Sequence, residues 1–256
     1  MSENTPVAVA DSAHDRPTLR PGELTPSPHE PLGMLAATWA IMRKDLLLEW
    51  RGRARVNATI FFAVLTLLLF SFAVGPYHNL LAQNAPGYLW LAILLSSVLS
   101  LGESQRIESE NAAFEGLRLL AVKASAVFFG KALVNTLFLF GLGLVLVPIA
   151  IALYSMSVAL SPWALVATLL LGCAAISAPG TLYAAIAVQA RARDVVLPLL
   201  MFPILVPGLL AAVKATTLVV QGDPMGQLAS WMVLLVTFNL VYWFLCALMF
   251  GRVMEE

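Results

Sequence analysis

The chain has little charge for its length. Of its 256 residues, 12% are charged and 60% are hydrophobic, whereas soluble domains carry roughly 25% charged and about 45–50% apolar residues. A soluble fold of this size exposes a large surface that polar groups must cover. The deficit excludes an ordinary soluble enzyme and indicates a polytopic membrane protein, for which lipid is the solvent of most residues.

Side chains that carry catalysis are also scarce. There are three histidines and two cysteines, and Cys173 and Cys246 lie in apolar runs, which favours buried thiols over a disulfide. HExxH, CxxC and GxSxG motifs are absent. Residues 125–132 (SAVFFGKA) lack the first Gly and the final Ser or Thr of a phosphate-binding loop. The sequence therefore predicts neither an enzyme nor an ATPase. The net charge of zero gives no electrostatic basis for binding nucleic acid.

The first part of the chain differs from the rest. Residues 1–33 hold six of the fifteen prolines and no apolar cluster, so we predict a disordered tail. Residues 34–55 then alternate apolar and charged positions at helical spacing, and the apolar members are Leu35, Trp39, Met42, Leu46 and Trp50. This pattern predicts an amphipathic helix in the membrane interface. The alternative is a cytosolic extension of the next helix.

Six apolar segments follow, each close to the length of about 20 residues that a helix needs to cross a bilayer. They lie at 57–75, 85–102, 132–154, 163–189, 195–213 and 229–250. Because lipid cannot satisfy backbone polar groups, these segments are predicted to be helical. Together with residues 34–55 they make residues 34–256 one all-α permease-like domain with six transmembrane helices.

Basic residues separate between the predicted loops. Fourteen of the fifteen Lys and Arg residues fall on one side, and Lys214 falls on the other. The positive-inside rule therefore predicts that both termini are cytoplasmic. We also find no charged residue well inside a predicted span, which argues against ion-coupled transport and leaves the energy to a partner. The interior hydroxyl and amide side chains are expected to join helices rather than to line a substrate path.

The longest predicted cytoplasmic loop spans residues 103–122. Its apolar residues lie near one helical face and acidic residues occupy the remainder. Two interpretations fit equally: a coupling helix that docks on a partner ATPase, or a solvated connection. The candidate coupling residues are Arg106, Glu108, Glu110, Phe114, Glu115, Gly116 and Arg118. On the opposite side, His78 is a candidate heme ligand, although an exposed histidine is more commonly just solvated.

Several stretches carry a family resemblance. They are FEGLRLL at 114–120, FFGKALVN at 128–135 and ARARDVVLPLL at 190–200. In this order and spacing the chain resembles the heme exporter protein B family of the cytochrome c maturation system, over about residues 34–254. Two departures are visible: residues 120–122 read LAV where the family reads LAP, and Gly143 stands where relatives often carry Glu.

The resemblance implies an ABC-type permease subunit of ABC-2-like architecture in the bacterial inner membrane, surrounded by lipid and without a bound cofactor of its own. It implies three partners: an ATP-binding subunit, a heme-handling membrane subunit and a periplasmic heme chaperone. ATP hydrolysis on the partner would release the loaded chaperone or transfer heme, which is then cargo of the complex. The alternatives are an ABC-2 permease for another substrate, such as a lipid or drug, and a membrane scaffold that transports nothing.

Overall fold

A computed structural model of the chain describes residues 33–110, 123–156, 160–189 and 193–255. Within these ranges the chain forms seven helices and no strand. The helices are α1 (Met34–Arg51), α2 (Arg53–Val74), α3 (His78–Glu110), α4 (Ala124–Tyr154), α5 (Pro162–Gln189), α6 (Arg193–Gln221) and α7 (Leu228–Glu255). The predicted tail at 1–33 lies outside the described residues except for Gly33, and its disorder stays a prediction.

Six of these helices are long and apolar enough to cross a membrane. Their candidate spans are Arg53–Val74, His78–Glu103, Ala124–Tyr154, Pro162–Ala187, Leu197–Gln221 and Leu228–Val253. The chain is thus an all-α polytopic membrane protein, and the predicted number of six spans is confirmed. The helix α1 precedes them as a separate element that ends at Gly52.

Three predicted spans are clearly too short. The second begins at His78 rather than at residue 85, the third begins at Ala124 rather than at residue 132, and the fifth ends at Gln221 rather than at residue 213. In the third and fifth, a lysine interrupts the apolar pattern while the helix continues through it. The prediction that no charge lies inside a span was therefore wrong, because Lys131 is in α4 and Lys214 is in α6.

The helix α5 lies at the centre of the bundle and packs against α3, α4, α6 and α7. Trp90 of α3 covers Gly172 of α5 so closely that a Cβ atom there would be 2.0 Å from the ring carbon Cη2. Its indole Nε1 donates a hydrogen bond of 2.9 Å to Oγ1 of Thr216 in α6. One buried side chain therefore joins three spanning helices.

The helix α2 is peripheral, since its described residues include only three buried ones, Thr59, Ala63 and Leu67. Tyr154, at the end of α4, donates a hydrogen bond of 2.6 Å to the carbonyl of Leu67. Phe70 stacks on Tyr88 of α3 with ring centroids 4.7 Å apart. These contacts fix the outer half of α2 to α3 and α4.

Candidate functional site

The helix ends alternate between two ends of the bundle. The starts of α2, α4 and α6 and the ends of α3, α5 and α7 form one of them, which we name the charged end. The basic residues here and on α1 whose side chains the structure describes are Arg43, Lys44, Arg53, Arg55, Lys123, Lys131 and Arg252. At the opposite end, the charged side chains are Lys214 and Asp223. The predicted segregation of charge is therefore a property of the folded bundle.

The helix α1 presents different faces to the bundle and to its surroundings. Ala37, Ile41 and Asp45, each one turn after the last, are buried against the start of α4. Leu35 and Trp39 of the predicted apolar stripe point away and are 86% and 64% exposed. An apolar face turned away from the protein is what an interfacial helix needs for contact with lipid.

Close contact between α1 and α4 depends on Gly130. A Cβ atom at this position would lie 2.8 Å from Cγ2 of Ile41 and 3.2 Å from the carbonyl oxygen of Thr38. While Ile41 is present, position 130 accepts only glycine, because the Cγ2 atom of Ile41 and the backbone of α1 occupy the space of a Cβ atom. This close approach brings the next residue of α4, Lys131, beside α1.

Lys131 and Asp45 form an ion pair between α4 and α1. The ammonium nitrogen of Lys131 lies 3.7 Å from Oδ2 of Asp45, and the two residues are 4% and 9% exposed. Lys44 lies 2.9 Å from the other carboxylate oxygen, although not in hydrogen-bond alignment, and its side chain is 46% exposed. The pair explains how α4 can carry a lysine inside its apolar run, since a buried charge needs a partner.

A second ion pair spans the junction between α1 and α2. The guanidinium of Arg55 donates to the Glu49 carboxylate, and both side chains are mostly buried. Burial raises the pKa of Glu49; Arg55 opposes this rise in pKa and Asp45 adds to it. Glu49 thus connects the end of α1 to the first turn of α2 across Gly52.

The opposite end holds the sequence-predicted heme ligand. His78 is exposed at the start of α3, where its backbone amide donates to the carbonyl of Pro76 at 3.1 Å. The residues that the structure describes contain no cluster of three or more His, Cys, Asp or Glu that could hold a metal ion. A ligand role for His78 stays a prediction.

Interior polar side chains join neighbouring helices, as three further contacts show. Asn135 of α4 donates a hydrogen bond of 2.8 Å to Thr181 of α5. Asn239 and Trp243 of α7 donate to the carbonyls of Leu171 and Ala174 in α5, at 3.0 and 3.2 Å. The predicted contacts between helices are therefore present for the side chains of Asn135 and Asn239.

Comparison with known proteins assigns the bundle to a family. A family model described as CcmB protein matches residues 36–255, which takes in α1 and all six spans. This chain belongs to the CcmB protein family.

Individual CcmB relatives agree with this assignment. A protein of Haemophilus influenzae named heme exporter protein B is 36% identical over 173 residues, which cover 67% of this chain and 77% of that protein. Proteins of the same name from Paracoccus denitrificans and Pseudomonas aeruginosa are 34% and 32% identical, over 74% and 75% of this chain and 87% and 85% of their own lengths.

The structure reaches only part of the predicted coupling segment of this CcmB protein. The helix α3 continues without a break to Glu110, so Arg106, Glu108 and Glu110 extend the second span instead of starting a separate helix. Residues 111–122, with the remaining candidates Phe114, Glu115, Gly116 and Arg118, lie outside the described residues. The coupling role of the segment stays a prediction.

Sequence reasoning missed two elements of the charged end. It placed Lys131 in a loop, and it counted Asp45 only among the charges of an amphipathic helix. The available signal was the spacing of Ala37, Ile41 and Asp45, which puts all three on one face of α1. A carboxylate on the same helical face as apolar residues indicates a buried acid that needs a cation.

Proposed function

We propose that this CcmB protein is the permease subunit of an ABC-type complex that delivers heme to a periplasmic heme chaperone for the maturation of c-type cytochromes. The observation that carries the proposal is the family match over residues 36–255, together with relatives named heme exporter protein B. Heme is the cargo of the complex, and ATP hydrolysis releases the loaded chaperone or drives heme transfer.

The source of energy lies outside the chain in this proposal. The sequence lacks a phosphate-binding loop, so a separate ATP-binding subunit supplies hydrolysis. Within the described residues, the buried lysine of α4 is paired with Asp45 of α1.

The charged end supplies the surface for that ATP-binding subunit. The proposal places it, with both termini, on the cytoplasmic side of the bacterial inner membrane, as the positive-inside rule favours. Residues 103–122, which comprise the end of α3 and most of the connection to α4, act as the coupling element in an ABC-2-like arrangement. The heme-handling membrane subunit and the chaperone meet the complex within the membrane and at the opposite, sparsely charged end.

Deletion of the gene tests the proposal directly. A strain without this chain should lose covalently bound heme in its c-type cytochromes, and heme staining of separated membrane proteins measures the loss. Normal staining in the deletion strain would contradict heme delivery and would favour the alternative of a permease for a lipid or drug.

A triple variant tests the coupling segment. Replacing Glu110, Phe114 and Glu115 by alanine in the complemented strain should abolish cytochrome c maturation while the chain still reaches the membrane. The matched control replaces Asp11, Asp15 and Glu23 of the N-terminal tail and should mature cytochromes normally. Unchanged maturation in the coupling variant would contradict the assigned role of this segment.

Orientation has its own test. A reporter fused after Gly222, between α6 and α7, should report the periplasm, and one fused after Arg252 should report the cytoplasm. The reverse result would move the charged end to the periplasm and would remove it as a surface for the ATP-binding subunit.

A further inference from the structure

The buried pair of Asp45 and Lys131 needs an explanation other than stability. With 9% and 4% of the two residues exposed, the pair keeps two charges largely out of water, and removal of either partner would weaken the compensation of the other charge. Replacement of both partners by apolar residues of similar size is, however, often neutral or stabilising. The best-attested role of such buried ionic groups is to select one packing among several similar ones.

The contact between α1 and α4 is of the kind that allows several packings. Apart from the ion pair, the buried residues of α1 whose side chains the structure describes are Ala37 and Ile41, one turn apart, and Ile41 packs on Gly130. A slip of one turn would move α1 by about 5.4 Å along α4 and would keep an apolar contact. The same slip would carry the Asp45 carboxylate from 3.7 Å to as much as about 9 Å from Lys131. The ion pair therefore adds a discrimination by charge to the fit of Ile41 against Gly130.

The pair also occupies a particular place along the chain. The helix α4 begins at Ala124, directly after the predicted coupling segment at 103–122, and Lys131 lies two turns later. On the other side of the pair, Glu49 connects α1 to Arg55 of α2. Contacts thus lead from the first turns of α4 to α1, and from α1 to the peripheral helix α2.

We propose that Asp45 and Lys131 are positioning residues for energy coupling. They hold α1 in one register on α4, so that a displacement of the coupling segment moves α4, α1 and the start of α2 together. The proposal rests on the proposed function, in which the charged end meets an ATP-binding subunit.

Paired substitutions in the deletion strain, with all partner subunits present, separate coupling from folding. The apolar pair Asp45→Leu with Lys131→Met should leave the amount of chain in the membrane unchanged. Covalent heme per chain should fall about tenfold, a typical size for coupling between sites. The swapped pair Asp45→Lys with Lys131→Asp should restore most of this heme. The control Arg43→Gln should behave as the wild type, because this basic side chain of α1 is exposed and lies outside the pair.

A disulfide measures the register without reference to transport. An ideal Cβ at position 130 is 3.0 Å from the Cβ of Ile41, so paired cysteines reach the disulfide spacing of about 3.5–4.5 Å once α1 and α4 separate by about half an ångström. Ile41→Cys with Gly130→Cys should oxidise readily in the otherwise native chain and in the swapped pair, and less completely in the apolar pair. The native thiols of Cys173 and Cys246 are buried and do not compete.

The outcomes distinguish this inference from the proposed function. Full heme attachment with the apolar pair, or undiminished cross-linking, overturns the positioning role. Loss of the chain from the membrane in both paired variants assigns Asp45 and Lys131 to folding and overturns it as well. Normal heme in the deletion strain itself contradicts the proposed function and, with it, the coupling role. If the deletion strain loses its heme but the apolar pair keeps it in full, the positioning role is contradicted and the proposed function is not.

Discussion

Replacing Thr216 by valine removes one hydroxyl from the place where three spanning helices meet. This hydroxyl accepts the indole hydrogen bond of Trp90 at 2.9 Å and donates to the carbonyl of Ala212 at 2.7 Å. Trp90 and Thr216 are each 1% exposed, so water cannot replace the lost acceptor. Valine has nearly the same shape, and the substitution therefore isolates the hydrogen bond from the packing.

The expected cost follows from the buried donor left behind. An unsatisfied buried polar group costs about 1–3 kcal/mol, and hydrogen bonds between membrane helices contribute about 0.6 kcal/mol on average and about 1.7 at most. We expect Thr216→Val to lower the free energy of unfolding by about 1–2 kcal/mol. In combination with Trp90→Phe, which removes the donor, the two losses should fall short of additivity by about 1 kcal/mol.

Unfolding of the purified chain in mixed micelles with increasing SDS gives these free energies, with the reactivity of Cys173 as the probe. The neighbouring Thr217→Val is the matched control, because its hydroxyl bonds only to the carbonyl of Val213 within α6, at 2.8 Å. Its cost should be near zero. Additive losses for Trp90→Phe and Thr216→Val, or an equal cost for Thr217→Val, would refute the hydrogen bond that joins Trp90 of α3 to Thr216 of α6.

Three further predictions concern the turn before α7, a close helix contact and the thiols. Backbone amides at the start of α7 lower the pKa of Asp223. The ionised carboxylate of Asp223 therefore stabilises the fold fully above the usual pKa of an aspartate, and this stabilisation is lost as the pH falls through the lowered pKa of the folded state. Asp223→Asn should reduce thermal stability at pH 7 but not in strong acid. Gly172→Ala should destabilise the chain because a ring occupies the space of its Cβ, whereas Gly141→Ala, with nothing within 4 Å, should not. Maleimide should leave Cys173 and Cys246 unmodified until SDS unfolds the chain, as mass spectrometry would show.

Much of the fold could be predicted from the sequence because lipid imposes simple rules on length and polarity. Apolar runs of sufficient length have to be helices, so the number of spans followed from hydropathy alone. The boundaries did not follow where a lysine interrupted a run. Whether Lys131 ends a helix or is buried within it depends on a carboxylate 86 residues earlier, Asp45, and a local pattern contains no such information.

The candidate site was less predictable because it also depends on contacts between residues that are far apart in the sequence. The exposed apolar stripe of α1 was visible in the sequence, but the face that contacts α4 is defined by Gly130 on a distant helix. The family departure at residue 143 also has a structural counterpart. A Cβ atom on Gly143 would lie 2.8 Å from Cδ1 of Leu169 in α5, so the leucine side chain fills the space that a glutamate would need.

The sparse charge at the far end of the bundle bears on how the chain enters the membrane. The six spans form three helical hairpins, and the tips between them, at 75–77, 155–161 and 222–227, contain a single ionised residue, Asp223. Its carboxylate accepts hydrogen bonds of 2.8 Å from the amides of Gln227 and Leu228, which offset its charge. Carrying a charged residue through the bilayer costs about 2.5–3.5 kcal/mol at the centre of a helix. The first two hairpins can therefore be inserted as units with almost no electrostatic barrier, whereas the third has to carry Lys214 as well as Asp223 across. The basic residues at the base of each hairpin keep it from crossing completely.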